Sequence, residues 1–481
     1  MKQKSLKLNI LMNMVLTMSS FIFPLITFPY VSRVLLPIGT GKVSFAASFI
    51  SYFSMFAQLG IPTYGIRTCA KVRDNKEELT RTVHELLTIN LVTTTLSYIA
   101  LTIFLATIPR LQNDKTLYII VSISIILTTL GMEWLYKALE QYVYITVRSV
   151  VFKIIALIAM FILIHEQSDY MIYGGISIFA SSASNIFNLI NAHKYIDFKP
   201  LGGYNFKRHL KPIFVFFAMS CATIIYTNLD TVMLGFMKSD VDVGYYNAAV
   251  KIKCILVSIV TSLGAVLLPR SSYYVENGKM DKFWQIMKKA LSFVLIVAIP
   301  MMIYFILFAK EGIYFLSGEA YIGSILPMQI VMPTLLLIGL SNLLGIQTLV
   351  PLGKERILLY AEIVGAFANI ILNAILIPHF ASSGAAIGTL IAELIVTTMC
   401  ILSLKNEFWN AIKEINCINI LFAVIFATAS SFWIKSLRLN VLITLIFSSF
   451  LFFGTYIIYL VFRKDTIIFD IYNGITNKLK K

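Results

Sequence analysis

Lys153 and Lys251 each stand inside a stretch that is otherwise almost wholly apolar. A charge at the middle of a helix in a bilayer costs about 2.5–3.5 kcal/mol on insertion scales, so it serves a function or is paired. Lys153 lies about nine residues into its stretch, roughly 14 Å deep at a rise of 1.5 Å per residue. It shares a helix face with Thr146 and Ser149. Lys251 is shallower and falls on a polar stripe with Asn247, Cys254 and Ser258. Lys253, about 200° round the helix from Lys251, snorkels to the surface. An ammonium group at either buried place can hold an anion or close an ion pair. Asp230 and Glu393 are the acidic counterparts, suited to binding a coupling ion or balancing a lysine; Asp230 stands near a helix end and could equally cap it. Arg33 is either a snorkelled anchor or a cation at a cavity mouth. Glu133, one turn from Lys137, reads as an interfacial ion pair.

Amides and hydroxyls in the apolar stretches fall on helix faces. Asn9, Asn13, Thr17, Ser20, Pro24 and Thr27 step by three or four residues, which is one side of a helix. Ser44, Ser48, Ser51 and Gln58 form a second stripe, and Ser177, Ser181, Ser184, Asn188 and Asn191 a third. Ser220, Thr223, Thr227 and Asp230 follow, then Asn247 and Lys251, then Glu362, Asn369 and Asn373. One such stripe alone is a helix-packing face. Stripes in equivalent helices of two halves, carrying Asn, Asp and Lys, predict a shared hydrated cavity. Asn188, Asn247 and Asn373 are its candidate hydrogen-bonding groups.

The elements that must position these groups follow from composition. Of 481 residues, 58% are hydrophobic and 13% charged, against about 25% charged in a soluble domain. Windows of about 20 apolar residues give about 14 spans, near 9–32, 42–64, 85–108, 117–137, 144–164, 172–193, 212–236, 245–269, 290–309, 322–349, 357–377, 385–404, 417–434 and 439–462. They must be helices, since a span in lipid satisfies its own backbone, and the alternation of a barrel strand is absent. The fold class is therefore an all-α polytopic membrane protein. The net charge of +16 is spread over short loops, which argues against nucleic acid and for the positive-inside bias. With edge cations such as Lys42 and Arg148 assigned to the nearest loop, twenty-nine of the 40 Lys and Arg lie on the N-terminal side, eight opposite and three inside spans. Both termini are expected in the cytoplasm. No cleavage site closes the first apolar run, so it reads as a first span rather than a removed signal.

Several motifs fail in informative ways. Gly39-Thr40-Gly41-Lys42 lies close to a phosphate loop, but Val43 replaces the required hydroxyl and Leu36 the first glycine. No ATPase is indicated, so active transport would draw on a gradient. Asp240-Val241-Asp242 has the form of a metal clamp for sugar nucleotides but falls in an outer loop. His84-Glu85 and His165-Glu166 lack the second histidine of a zinc helix. The five cysteines have no ligand spacing. No metal, cofactor or catalytic group is called for, no loop holds a soluble domain, and an enzyme is not expected.

Gly41-x-x-Ser44-x-Ala46 recurs 203 residues later as Gly244-x-x-Asn247-x-Ala249, and Tyr136–Ile164 lies on Leu349–Ile377 at an offset of 213. The chain thus reads as six spans in 1–211, six in 212–404 and two extra in 405–481. Repeats of six keep one orientation, and a central site at their interface is the transporter pattern.

The segment FPYVSRVLLPIGTGKVSFAASF, followed by LGIPTYGIR and AKVRDNKEEL, resembles the start of the polysaccharide-exporter branch of the MATE-like (MOP) superfamily, the Wzx-type flippases. MEWLYKALEQYVYITVRS at 132–149, TNLDTVMLG at 227–235, VGYYNAAVKI at 243–252 and NIILNAILIPHFASSGAAIGTLIAE at 369–393 extend the resemblance in order over most of the chain. Leu36 stands where members of that family often carry a glycine. The resemblance implies two pseudo-symmetric six-helix bundles in a V shape, with an alternating-access cavity, in the bacterial cytoplasmic (inner) membrane. It implies an undecaprenyl-pyrophosphate-linked oligosaccharide turned from the inner to the outer leaflet for O-antigen or capsule, coupled to H+ or Na+. A polysaccharide polymerase and a chain-length regulator would be partners. Lys153, Lys251 and Arg33 would meet the anionic head, and the asparagines the sugar hydroxyls. The rivals are a multidrug antiporter of the same superfamily, which would want acidic rather than basic residues in its cavity, a peptidoglycan-precursor flippase, and a membrane polymerase or glycosyltransferase, which would want a large outer loop.

Overall fold

The computed structural model describes residues 6–463, which excludes Lys2, Lys4 and the tail cations after Arg463. Among the described residues there are helices and no strand. The chain divides into two compact units, Met1–Gly244 and Tyr245–Lys481.

In the first unit, helix α1 (Leu6–Gln58) is divided into two arms at Leu36, where φ is 57° and ψ 177°. Pro24 and Pro29 lie in its first arm and Pro37 opens the second. Then come α2 (Ile61–Val72), α3 (Lys76–Thr107), α4 (Lys115–Gly131), α5 (Glu133–Ala138) and α6 (Tyr142–Leu163). Asn75 starts α3 by accepting the backbone N–H groups of Glu77 and Glu78 at 3.1 and 3.2 Å, which satisfies two donors a helix start leaves open. A π turn, Phe179–Ala183, joins α7 (Tyr170–Ile178) to α8 (Asn185–Asn191). The unit's last long helix is α9 (Lys207–Met237).

The first arm of α1 lies along α6. The Thr146 hydroxyl donates to Met12 O, Lys153 donates to Ser19, and the Tyr30 hydroxyl donates to Ile164 O, all at a separation of 134 residues. The constant offset shows two parallel helices in one register. The second arm of α1 runs antiparallel to α9: a Cβ on Gly235 would lie 2.2 Å from the Phe45 ring, and one on Gly60 2.4 Å from Phe217 N. Glycine lets the two helices touch at both ends of this contact.

In the second unit, α10 (Asp240–Thr261), which begins within the first, is followed by α11 (Gly264–Glu276), α12 (Met280–Leu307), α13 (Ala309–Ser317), α14 (Ile325–Val331) and α15 (Thr334–Ser341). Helix α16 (Glu355–Ser403) breaks at Ala381, φ 48°. Its arms fold back on each other: a Cβ on Gly384 would lie 2.4 Å from Leu376 O, and one on Gly388 2.3 Å from Asn373 Oδ1. After α17 (Lys405–Glu414), helices α18 (Cys417–Phe432) and α19 (Val441–Phe462) pack as a pair. The Tyr456 hydroxyl donates to Ile296 O of α12 at 2.9 Å, so this final pair joins the core of the second unit. That core includes Phe283, Val294, Phe308, Cys400 and Phe452.

By length and apolarity, nine described helices can cross a bilayer, or ten if the pair bent by 44° over Glu319–Leu349 is one span. The broken helices α1 and α16 are each counted once in that number. The protein is a multi-pass membrane protein. Between the helices, Arg73 donates to Glu140 at 2.7 Å, and this bond raises the guanidinium pKa. The Asp169 carboxylate accepts the backbone N–H groups of His165 and Glu166, which hold its pKa below the ordinary value.

Candidate functional site

Lys153 sits midway along α6, half-buried, and its ammonium donates to the hydroxyls of Ser19 and Ser20 at 2.9 Å each. Ser20 belongs to the stripe read along the first arm of α1, and the parallel register brings that stripe to the lysine. Glu133 lies within electrostatic range of Lys153. It also forms the expected pair with Lys137, at 2.8 Å.

Arg148 differs from its sequence reading as a loop cation. Its side chain is 6% exposed, 3.6 Å from Glu133, and donates to Asn185 Oδ1 at 2.9 Å. Those partners offset the desolvation of a buried guanidinium. A Cβ on Gly131 would lie 2.5 Å from the Asn185 Cβ, so a glycine at 131 is what admits the amide.

Asn188 is fully buried. Its carbonyl accepts the Tyr136 hydroxyl, while neither atom of its side-chain amide has a hydrogen-bond partner. Asn9 is buried in the same condition. An unsatisfied buried polar group costs about 1–3 kcal/mol, so each amide calls for a partner that the surrounding helices do not supply. Asp230 is buried on α9, within electrostatic range of the Tyr52 hydroxyl. Arg33 is exposed and donates to Pro29 O one turn back.

The second unit holds the other candidates. Asn247 and Lys251 are half-buried on α10. The neighbouring Tyr246 hydroxyl bonds Thr389 on the second arm of α16 at 3.0 Å, so α10 and that arm meet. Glu393 is buried one turn beyond Thr389. Asn373 is fully buried between the arms of α16 and donates to Asn369 Oδ1 at 3.1 Å.

Three polar clusters in the first unit have no sequence signal, because their members lie far apart in the chain. Glu85, with no exposed side-chain surface, accepts from His209 at 2.6 Å and from Arg208 at 2.6 Å, and the Tyr64 hydroxyl bonds the other ring nitrogen of His209 at 2.8 Å. Lys42 pairs with Asp114 at 2.8 Å, and the Tyr170 hydroxyl donates to the same oxygen. Arg110 pairs with Asp240 and also donates to Gly235 O. Two of the failed motifs thereby gain structural roles. Lys42 of the loop-like glycine run is an ion-pair partner. Asp242 accepts the Ser239 hydroxyl at 2.6 Å at the start of α10. Among the described residues no group of three His, Cys, Asp or Glu could hold a metal.

Residues 6–275 match the family described as Polysaccharide biosynthesis protein, and residues 215–375 match the MatE family. The first match covers more than half of the chain, and the chain belongs to the polysaccharide biosynthesis protein family. It is 25% identical over 405 residues to an Escherichia coli (strain K12) protein named "Putative O-antigen transporter", covering 84% of this chain and 97% of that one. Among solved structures it resembles the lipid II flippase MurJ in an inward closed conformation, with a TM-score of 0.72 and 18% identity, covering 95% of this chain and 100% of that one. It also resembles an inward-facing multidrug resistance MATE family transporter of the MOP superfamily, with a TM-score of 0.59 and 13% identity, covering 82% and 95%. At these identities the two likenesses show the fold.

Proposed function

We propose that this chain is a flippase that turns an undecaprenyl-pyrophosphate-linked oligosaccharide repeat unit from the inner to the outer leaflet of the bacterial cytoplasmic membrane, for O-antigen or capsule assembly. The observation that carries the reading is Lys153: a cation midway along an apolar helix, held by two neutral hydroxyls rather than locked onto a carboxylate. A pyrophosphate can displace serine hydroxyls from an ammonium and offer charge in return. The family membership and the O-antigen relative support the same class of cargo.

In this reading Lys153 and Lys251 bind the pyrophosphate or acidic sugars, and Arg33 stands at the outer mouth. Asn188, Asn247 and Asn373 hydrogen-bond sugar hydroxyls. Asp230 and Glu393 bind the coupling ion, H+ or Na+, or balance the lysines. Fourteen spans, arranged as bundles 1–211 and 212–404 with two added helices in 405–481, would rock between inward and outward access. A polymerase and a chain-length regulator would receive the flipped unit. A multidrug antiporter would need carboxylates where Lys153 stands. A peptidoglycan-precursor flippase shares the lipid pyrophosphate, and the MurJ likeness supports it at the level of fold.

The test is a strain deleted for the gene and supplied with wild-type, Lys153→Ala or Lys251→Ala protein at matched membrane levels. Each variant is expected to lower surface polysaccharide by about tenfold, the equivalent of ~1.4 kcal/mol of lost substrate binding. Full restoration by both variants would sink the cationic site.

A further inference from the structure

We infer that a cavity between α1, α3 and α9 holds a segment of the hydrocarbon chain of the transported lipid, next to its head, while the head occupies the polar stripes of the same helices. The inference rests on the flippase reading for the identity of the lipid, and on the following geometry for the place.

The cavity has a volume of about 760 Å³ and is walled by Phe53 and Phe56 of α1, Ala100 and Phe104 of α3, and Leu229 and Val232 of α9. Its existence follows from how α1 and α9 meet. Glycines bring the helices together at Phe45–Gly235 and at Gly60–Phe217. Between these two points the gap is not filled by side chains. The Phe45, Phe49 and Phe236 rings close one end, with centroids 5.2–6.2 Å apart. Phe56 and Phe217, 5.5 Å apart, stand near the other. The lining runs from Thr93 to Phe104 on α3, eleven residues, so the chamber is about 16 Å long.

Its chemistry selects a hydrocarbon. Phe56, Leu96 and Phe104 are 52%, 59% and 44% exposed, on helices long and apolar enough to cross a bilayer. The cavity therefore has an apolar rim through which a hydrocarbon can enter. Water inside would find few partners, since the Thr93 hydroxyl already donates to Ala57 O at 2.6 Å, and apolar cavities stay dry.

The two-faced character of α1 and α9 argues for the transported lipid over a bystander phospholipid. On α1, Ser44, Ser48 and Ser51 lie about 140° round the helix from Phe49, Phe53 and Phe56. On α9, the stripe ending in Asp230 lies almost opposite Ile225, Leu229 and Val232. The buried Tyr52 hydroxyl, which makes no hydrogen bond, marks the border between the two faces beside Asp230. A phospholipid keeps its head at the membrane surface and gains nothing from polar groups at mid-helix. A lipid whose head passes through the protein needs a berth for its chain next to that path.

The test uses the full chain in lipid nanodiscs and two photoactivatable probes at equal mole fraction: a polyprenyl phosphate with a diazirine in its chain, and phosphatidylglycerol with a diazirine in an acyl chain. Cross-linked peptides are mapped by mass spectrometry. The polyprenyl probe is expected to label 49–56 and 225–232 about tenfold more than the phospholipid probe. Ala100→Phe, which fills the cavity from α3, is expected to reduce that labelling by about tenfold, and Ala100→Ser to leave it. Val232→Phe fills the cavity from the opposite wall and serves where Ala100→Phe is not monodisperse. Equal labelling by both probes would make the cavity a berth for ordinary bilayer lipid, and labelling unchanged by either filling variant would place the chain elsewhere; both overturn the inference. The flippase reading stands or falls separately on whether wild-type protein restores surface polysaccharide.

Discussion

Leu36 holds a backbone conformation, φ 57° and ψ 177°, that costs a side-chain-bearing residue roughly 1–2 kcal/mol because Cβ crowds the neighbouring carbonyl. Glycine has no such cost, and the related family often places one there. Leu36 is about one-third exposed, so the packing its side chain loses on substitution offsets part of the strain relieved. Leu36→Gly is therefore expected to stabilise the protein by at most about 1 kcal/mol, net of the entropy glycine adds to the unfolded chain. Denaturant titration in detergent would show it as a higher midpoint; an unchanged or lower midpoint would mean that this conformation carries no strain. Residue-scale reading of the sequence located Lys153 by depth, since counting along an apolar run needs no partner. It could not supply Ser19 and Ser20, which are more than 130 positions away. In the sequence alone Arg148 is a loop cation for the same reason. Its burial depends on Asn185, 37 residues on, and on the glycine that admits it.

The helices themselves were legible because a span in lipid must be a continuous apolar run, and every long described helix falls on one. Their breaks were legible where proline marks them. The 203-residue offset lays Leu36 on Ser239, and Ser239 separates α9 from α10 as Leu36 separates the arms of α1. What could not be read is which helix touches which. The Glu85–His209 cluster joins α3 to α9 across 124 residues, and no periodicity signals it. The hairpin of α16 shows what such contacts require. Gly384, Gly388 and Ala392 form a stripe of small residues that lets its arms approach until Gly388 meets the Asn373 amide. Gly388→Val would push that amide off its 3.1 Å bond to Asn369 and separate the arms. The expected loss is about 1–3 kcal/mol, the usual scale for overpacking. Melting in detergent would measure it, with Gly454→Val, which has open space around it, expected to leave the midpoint unchanged. Equal effects at the two sites would show that the close approach of the arms contributes nothing.

At the scale of the whole chain the strongest sequence signal is the cation asymmetry. A Lys or Arg is held on the cytoplasmic side during insertion, and the bias counts most in short loops. Nearly all loops here are short, and twenty-nine cations against eight is a large imbalance. It sets the direction of everything proposed above: cargo enters from the side of the α2–α3 and α11–α12 turns and leaves on the side of His165–Asp169. The direction in which the helices are threaded is set by this charge bias. It is open to a direct measurement in a background where the five native cysteines are replaced. Ser168 and Asn277 are both exposed and lie in different turns, the first predicted outside and the second inside. In intact cells a membrane-impermeant maleimide is expected to label Ser168→Cys and to spare Asn277→Cys until the membrane is permeabilised. The reverse pattern would invert the orientation, place Arg33 at the cytoplasmic mouth, and require the cargo path to run in the opposite sense. Labelling of both positions in intact cells would mean that the turns do not lie on opposite faces of the membrane, and the assignment of spans between them would have to change.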